Sequence, residues 1–267
     1  MYKAFYGFDT RPFAKTPDPK FLYLSRSHRE AFARLMHAVE ERDMVLLTGG
    51  IGCGKTTLSR ALMDELGDDY RIVLLTNPRM SPLEFLQALA LRLEIATPAE
   101  NKSELLEQLG ERLYQLYQQQ VHPVLIIDEA QLIPHKDVFD EIRLLTNYQL
   151  DDVNLISVIL MGQPELLKRL AHSVYEPLRQ RIGIQFVLKP LTAEEVATYL
   201  QHRLSCAGGD PQLFDPSAAE QVARFSGGIP RRINQLASLA LLEGFGRGVN
   251  RIDAAVINSV ADELEGL

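Results

Sequence analysis

The chain has 267 residues, 46% hydrophobic and 24% charged, with a formal net charge of −7. This is ordinary globular composition; it excludes a wholly disordered, collagenous or disulfide-stapled chain and leaves room for one large domain or two small ones. Residues 1–60 balance to +4, 61–178 to −10 and 179–267 to −1, so overall acidity speaks against nucleic acid as a partner, although one local basic stripe is enough to bind it.

Residues 1–25 interleave Phe5, Tyr6, Phe8, Phe13, Phe21 and Tyr23 with Pro12, Pro17 and Pro19. Proline density forbids a long helix, and the aromatics forbid a solvated tail, so an arm packed on the body is expected. Ser27-x-x-Glu30 has the form of a capping box and opens a helix to about Glu41. Residues 1–43 are assigned to this arm and linker helix.

Apolar runs predict buried strands over Met44–Thr48, Arg71–Thr76, Val124–Ile127, Val153–Met161 and Ile184–Leu188. Helices are expected between them. One starts at Gly54, one is capped by Ser81 with Pro82 at its first position, and one is an amphipathic stretch over 102–119 with a leucine stripe. Another spans Lys136–Asn147. Strands alternating with helices and apolar on both faces indicate a parallel sheet covered on both sides. After Pro190 the strands stop. Thr192-x-x-Glu195, Asp215-Pro216, Pro230 and Asp253 open four helices. The expected architecture is an α/β core over 44–190 and a small all-helical lid over 191–267. The two cysteines, the lack of a signal-peptide stretch and the absence of any 18-residue apolar run give a cytoplasmic expectation.

Gly49-Gly50-Ile51-Gly52-Cys53-Gly54-Lys55-Thr56 fits the phosphate-binding loop G-x-x-x-x-G-K-[ST], with Thr57 following. Its glycines let backbone N–H groups face phosphate oxygens, and the helix start adds its dipole. Lys55 reaches the β- and γ-phosphates, and Thr56 offers a hydroxyl to Mg²⁺. A glycine-rich turn is the plain alternative; the strand before and the helix after decide against it. Val124–Ile127 then delivers two acids at a strand end: Asp128 for Mg²⁺ and Glu129 as general base. Gln163 follows the fourth strand, where the class of ATPase that these two motifs resemble carries a polar γ-phosphate sensor; a helix-start turn is the plain alternative. Thr76 and Asn77 end the second strand and could contact Glu129 across the sheet, with an Asn-Pro turn as the plain alternative. Arg179 and Arg181, in an otherwise apolar stretch before the fifth strand, suit a guanidinium supplied to a neighbour's phosphate. Arg231, in the first turn of a lid helix, conflicts with the helix dipole unless polyphosphate lies near. The six histidines show no metal-ligand spacing and are read as packing or surface residues.

Together these features resemble an AAA+ ATPase. Phe5-Tyr6-Gly7-Phe8, Pro12-Phe13, the stretch Thr16 to Ser25, His28-x-Glu30-Ala31, Gly162-Gln163-Pro164-Glu165-Leu166, Leu178-Arg179-Gln180-Arg181-Ile182 and Gly228-Ile229-Pro230-Arg231-Arg232-Ile233-Asn234 resemble the ExeA/GspA family over residues 2–264. The resemblance implies ATP and ADP as ligands with Mg²⁺. It also implies self-assembly into a ring or filament and work on a protein partner in a cell-envelope complex. The family's founders carry a membrane helix and a peptidoglycan-binding domain beyond the ATPase. Related regulators of the TnsC and MuB type assemble on DNA, which gives the alternative partner.

Overall fold

The computed structural model describes residues 1–14, 19–150 and 153–265. In chain order its regular elements begin with α1 (Tyr2–Phe5), α2 (Arg26–Glu40), β1 (Met44–Gly49) and α3 (Lys55–Glu65). Next come β2 (Tyr70–Leu75), α4 (Pro82–Arg92), α5 (Lys102–Gln118), β3 (His122–Ile127) and α6 (Lys136–Leu145). They continue with β4 (Gln149–Leu150), β5 (Val153–Asn154), β6 (Ser157–Gly162), α7 (Pro164–Leu170), α8 (Glu176–Arg179) and β7 (Ile182–Leu188). The last four helices are α9 (Ala193–Cys206), α10 (Pro216–Ser226), α11 (Pro230–Arg247) and α12 (Ala254–Glu265). The chain folds as two compact units: Glu30–Gly50 with Leu58–Leu188, and Met1–Arg29 with Ile51–Thr57 and Lys189–Leu267.

The first unit is built on a five-stranded sheet in the order β2-β3-β6-β1-β7, with every pairing parallel. Every residue of β1, β3 and β6 is buried, as branched apolar runs demand when helices cover both faces. At the edge, β7 departs from that expectation: exposed residues alternate with half-buried ones as far as Val187. The fourth strand is also shorter than its apolar run suggests. Val153–Asn154 turns back on Gln149–Leu150 as an antiparallel pair, and the sheet strand starts at Ser157. On α5 the leucine stripe is the buried face, with Leu105, Leu109, Leu113 and Leu116 inside. Phe85, Phe139, Leu46 and Leu75 belong to the same core; each such side chain contributes about 1.5–3 kcal/mol when fully buried.

The second unit is helical. A reciprocal capping box of Thr192 and Glu195 starts α9, and Asp215 caps α10 through the Ala218 N–H at 2.8 Å. At α12 the Asp253 carboxylate accepts the Val256 N–H at 3.0 Å. The arm aromatics are part of this core: Phe8, Phe13 and Phe21 are buried with Leu200, Leu204, Phe214 and Leu241. Buried Arg203 fixes them, donating from Nε to the Pro12 carbonyl at 2.6 Å and lying 4.6 Å from the Phe21 ring centroid. Residues 15–18, part of the Thr16 to Ser25 arm motif, lie outside the described residues.

One expected cap moves. Ser25, not Ser27, starts α2: its hydroxyl accepts the His28 N–H at 3.3 Å and its carbonyl the Arg29 N–H at 2.9 Å. Ser27 lies within the helix, and its hydroxyl accepts the Lys189 N–H at 3.0 Å. An S-x-x-E match describes one pairing pattern; the neighbouring serine competes for the same helix end and is also tied to His28.

Candidate functional site

The glycine-rich motif lies between β1 and α3. β1 is interior to the sheet, its end residue Gly49 packs closely on Leu188, and the next helix begins at Lys55. Between them Gly52 has φ +78° and Gly54 φ +102°, backbone that side chains rarely adopt. Gly52 has a second reason to be glycine: an added Cβ would come within 2.7 Å of the Arg231 Cβ. Ile51 and Thr56 are exposed, Thr57 is half-buried, and Cys53 and Lys55 are buried. Burial of the Cys53 thiol denies it the exposure that a reactive thiol needs.

The start of α11 meets this loop within the helical unit. The Arg231 N–H donates to the Gly52 carbonyl at 3.3 Å. The turn leading there is tightly specified: Gly227 and Gly228 have φ +60° and +72°, and a Cβ on Gly228 would lie 2.0 Å from the Leu191 carbonyl oxygen. Arg231 itself is exposed.

His28, read from sequence as a packing or surface residue, is a second anchor. Its Nε2 lies 2.9 Å from the Cys53 carbonyl and its Nδ1 2.7 Å from the Ser25 hydroxyl. A carbonyl only accepts, so Nε2 carries the proton, and in the neutral ring Nδ1 accepts from the Ser25 hydroxyl. Burial lowers its pKa, opposed by the Cys53 bond and the Glu195 charge. A Cβ on Gly54 would lie 2.9 Å from this ring, so loop and histidine are fitted to each other. The available signal was a serine three residues before a histidine at a helix start.

In the sheet unit, β3 delivers Asp128 and Glu129. The Asp128 N–H is held by the Leu75 carbonyl at 2.9 Å, and an Asp128 oxygen accepts the Glu129 N–H at 2.8 Å. Asp128 is 4% exposed, while Glu129 is half-buried. Glu129 takes φ +54°, the left-handed conformation that disfavours a Cβ, at the strand end where it would act. Gln163, just past β6, donates from its side-chain amide to Glu129 Oε2 at 3.2 Å. A third side chain joins them: Gln131 donates its amide to the same Glu129 oxygen. Thr76 and Asn77 are exposed just past β2.

The two arginines before β7 are both exposed but differently engaged. Arg179 donates to the Leu170 and Ala171 carbonyls at 3.1 and 2.7 Å, closing the C-terminus of α7. Arg181 donates to the Asn147 side chain, to Oδ1 at 3.1 Å. No helix among the described residues is long and apolar enough to cross a membrane.

Comparison with known proteins places these features in context. The family model described as "AAA domain" matches residues 37–170. The chain is 36% identical over 270 residues to General secretion pathway protein A of Aeromonas hydrophila, covering 100% of this chain and 49% of that protein. It therefore spans about half the length of that relative. Among solved structures it is similar to the ORC2 protein of Aeropyrum pernix in its ADPNP-ADP complexes: TM-score 0.68, 18% identity, 96% of this chain and 72% of the other. It is also similar to the ORC1 protein of Aeropyrum pernix in complex with DNA: TM-score 0.64, 21% identity, 97% and 70% covered. At such identities these two likenesses speak for the fold: a five-stranded parallel sheet covered by helices and followed by helices.

Proposed function

We propose a function from one premise: the chain belongs to the AAA domain family, and its sequence is of ExeA/GspA type. It is an Mg²⁺-dependent ATPase that self-assembles and works on a protein partner in a cell-envelope complex. The observation that carries the activity is the phosphate loop: two glycines at positive φ between an interior strand and a helix that opens on Lys55.

The loop from Gly49 to Thr57 cradles the phosphates through its N–H groups, and Lys55 neutralises them. Glu129 takes a proton from the attacking water, and Gln163 faces the γ-phosphate. Arg231, beside Gly52, pairs with phosphate charge, which offsets the conflict between this cation and the N-terminal dipole of its own helix. Thr56 and Asp128 are the proposed Mg²⁺ ligands. The donor set, one hydroxyl and one carboxylate, fits a hard cation that prefers oxygen ligands. An Mg²⁺ ion held there would offset the charge of the phosphates. A neighbouring subunit supplies the finger from Arg179 or Arg181, and Arg181 is the better fit because Arg179 already closes a helix end. Residues 44–190 are the ATPase core in this reading, 191–267 the lid and 1–43 the arm. The envelope role rests on the relative's name, General secretion pathway protein A.

The alternative partner, DNA, is favoured by one observation: a protein of like fold is described in complex with DNA. Binding of Glu129→Gln protein to duplex DNA, with and without Mg-ATP across a salt series, separates the two. Envelope work predicts self-assembly with ATP and no DNA affinity at low salt. ATP-dependent binding with a steep salt slope would replace it with the DNA reading.

A further inference from the structure

We infer that Gln131 is a positioning residue: its side-chain amide orients the Glu129 carboxylate and ties it to the end of β6. The inference rests on the reading of Glu129 as general base. Gln131 uses both ends of its amide. Its nitrogen donates to Glu129 Oε2, and its oxygen accepts the Gln163 N–H at 3.0 Å. The orientation is unambiguous, since a carboxylate only accepts and a backbone N–H only donates. The Gln163 side chain adds its own bond to the same Glu129 oxygen at 3.2 Å. Base, bridge and strand end thus form a closed ring of three hydrogen bonds.

The surroundings hold Gln131 in place. It lies in a one-turn 3-10 helix, Ala130–Leu132, closed by the Leu132 N–H on the Glu129 carbonyl at 2.8 Å. Arg169 clamps the exit of that turn, donating to the Ile133 carbonyl, to Pro134 at 3.3 Å, and from Nε to the Tyr175 hydroxyl at 2.9 Å. Gly162 leaves the amide its space: a Cβ there would lie 2.9 Å from Gln131 Oε1. A supported amide on a carboxylate fixes its direction at little entropic cost. Any displacement of Gln163 is then passed to Glu129 both directly and through Gln131.

The test pairs kinetics with a readout that needs no nucleotide. Gln131→Leu keeps the volume and removes both bonds; Gln131→Glu keeps an acceptor for Gln163 but sets a second carboxylate against Glu129. In Gln131→Leu, kcat should fall about tenfold or more, with ATP affinity within about twofold of the unaltered protein. In ¹³C-glutamate-labelled protein at one fixed pH near neutrality, the Glu129 carboxyl resonance, identified by its loss in Glu129→Gln, should shift in Gln131→Leu and in Gln131→Glu. An unchanged Glu129 resonance, or turnover and affinity falling together, overturns the proposal. The Gln131 side-chain ¹⁵N resonance should in turn move in Glu129→Gln; a resonance indifferent to that change overturns the proposal without any Gln131 variant. A Glu129 resonance that moves in a protein without ATP turnover supports the link and sinks the ATPase reading instead.

Discussion

At His122 a single buried ring turns packing into pH dependence. Its Nε2 lies 2.7 Å from the Ser157 hydroxyl, which itself donates to the Val39 carbonyl at 3.3 Å. Nε2 therefore carries the proton and Nδ1 is a bare buried atom with no partner. Protonation would place an unsatisfied N–H there, and burial, with the Arg42 charge second, pulls the pKa down to about 4. The folded value lies below the unfolded value of about 6.5, so this contribution to stability is complete above pH 6.5 and is lost as pH falls toward about 4. The loss amounts to at most about 3 kcal/mol. Urea unfolding should show the advantage of unaltered protein over His122→Gln shrinking across that window; parallel pH dependences would refute it. Sequence alone gives such residues no role. Gln131 and His28 escape for the same reason: their partners, Gln163 and Cys53, lie 32 and 25 residues away. Lys55, Asp128 and Glu129 are proposed from sequence because each belongs to a local pattern, a phosphate loop or a strand-end acid pair.

Among the elements, strands declare themselves best where helices cover both faces. The runs that become β1 and β3 are apolar but for Thr48, and their strands start and end within two residues of the expected places. The stretch starting at Val153 reads as one strand, yet its first two residues pair antiparallel with Gln149–Leu150, because periodicity does not reveal a strand's partner. The cap on α2 shifts by two residues for a similar reason: Ser25 holds both the helix end and His28. The end of α7 separates two arginines that composition treats alike. Arg179 satisfies carbonyls at a helix C-terminus, so Arg179→Ala should lower the melting temperature, an effect of about 1 kcal/mol or less for an exposed group. Arg181→Ala should leave melting unchanged and lower turnover of the assembled protein about tenfold or more. A stable, inactive Arg179→Ala beside a fully active Arg181→Ala would reverse the assignment.

At the level of the whole molecule, the compact units do not follow chain continuity. Loop residues 51–57 and residues 1–29 group with the C-terminal helices, while β1 belongs to the sheet unit. Composition could mark the change at Pro190, but not that Phe8, Phe13 and Phe21 would complete a helical core some 180 residues later. Deleting the arm should therefore expose apolar surface and destabilise the helical unit, instead of trimming a tail. The central claim is that this fold hydrolyses ATP with Glu129 as base and Lys55 as phosphate ligand. Its most direct test is single-turnover hydrolysis of Mg-ATP, with ATP binding measured in parallel, by the unaltered protein, Lys55→Ala and Glu129→Gln at concentrations that allow assembly. The account predicts affinity lost by about tenfold or more in Lys55→Ala. It predicts retained affinity, with hydrolysis down about a hundredfold or more, in Glu129→Gln. A Glu129→Gln protein that binds ATP and hydrolyses it at the unaltered rate would contradict it.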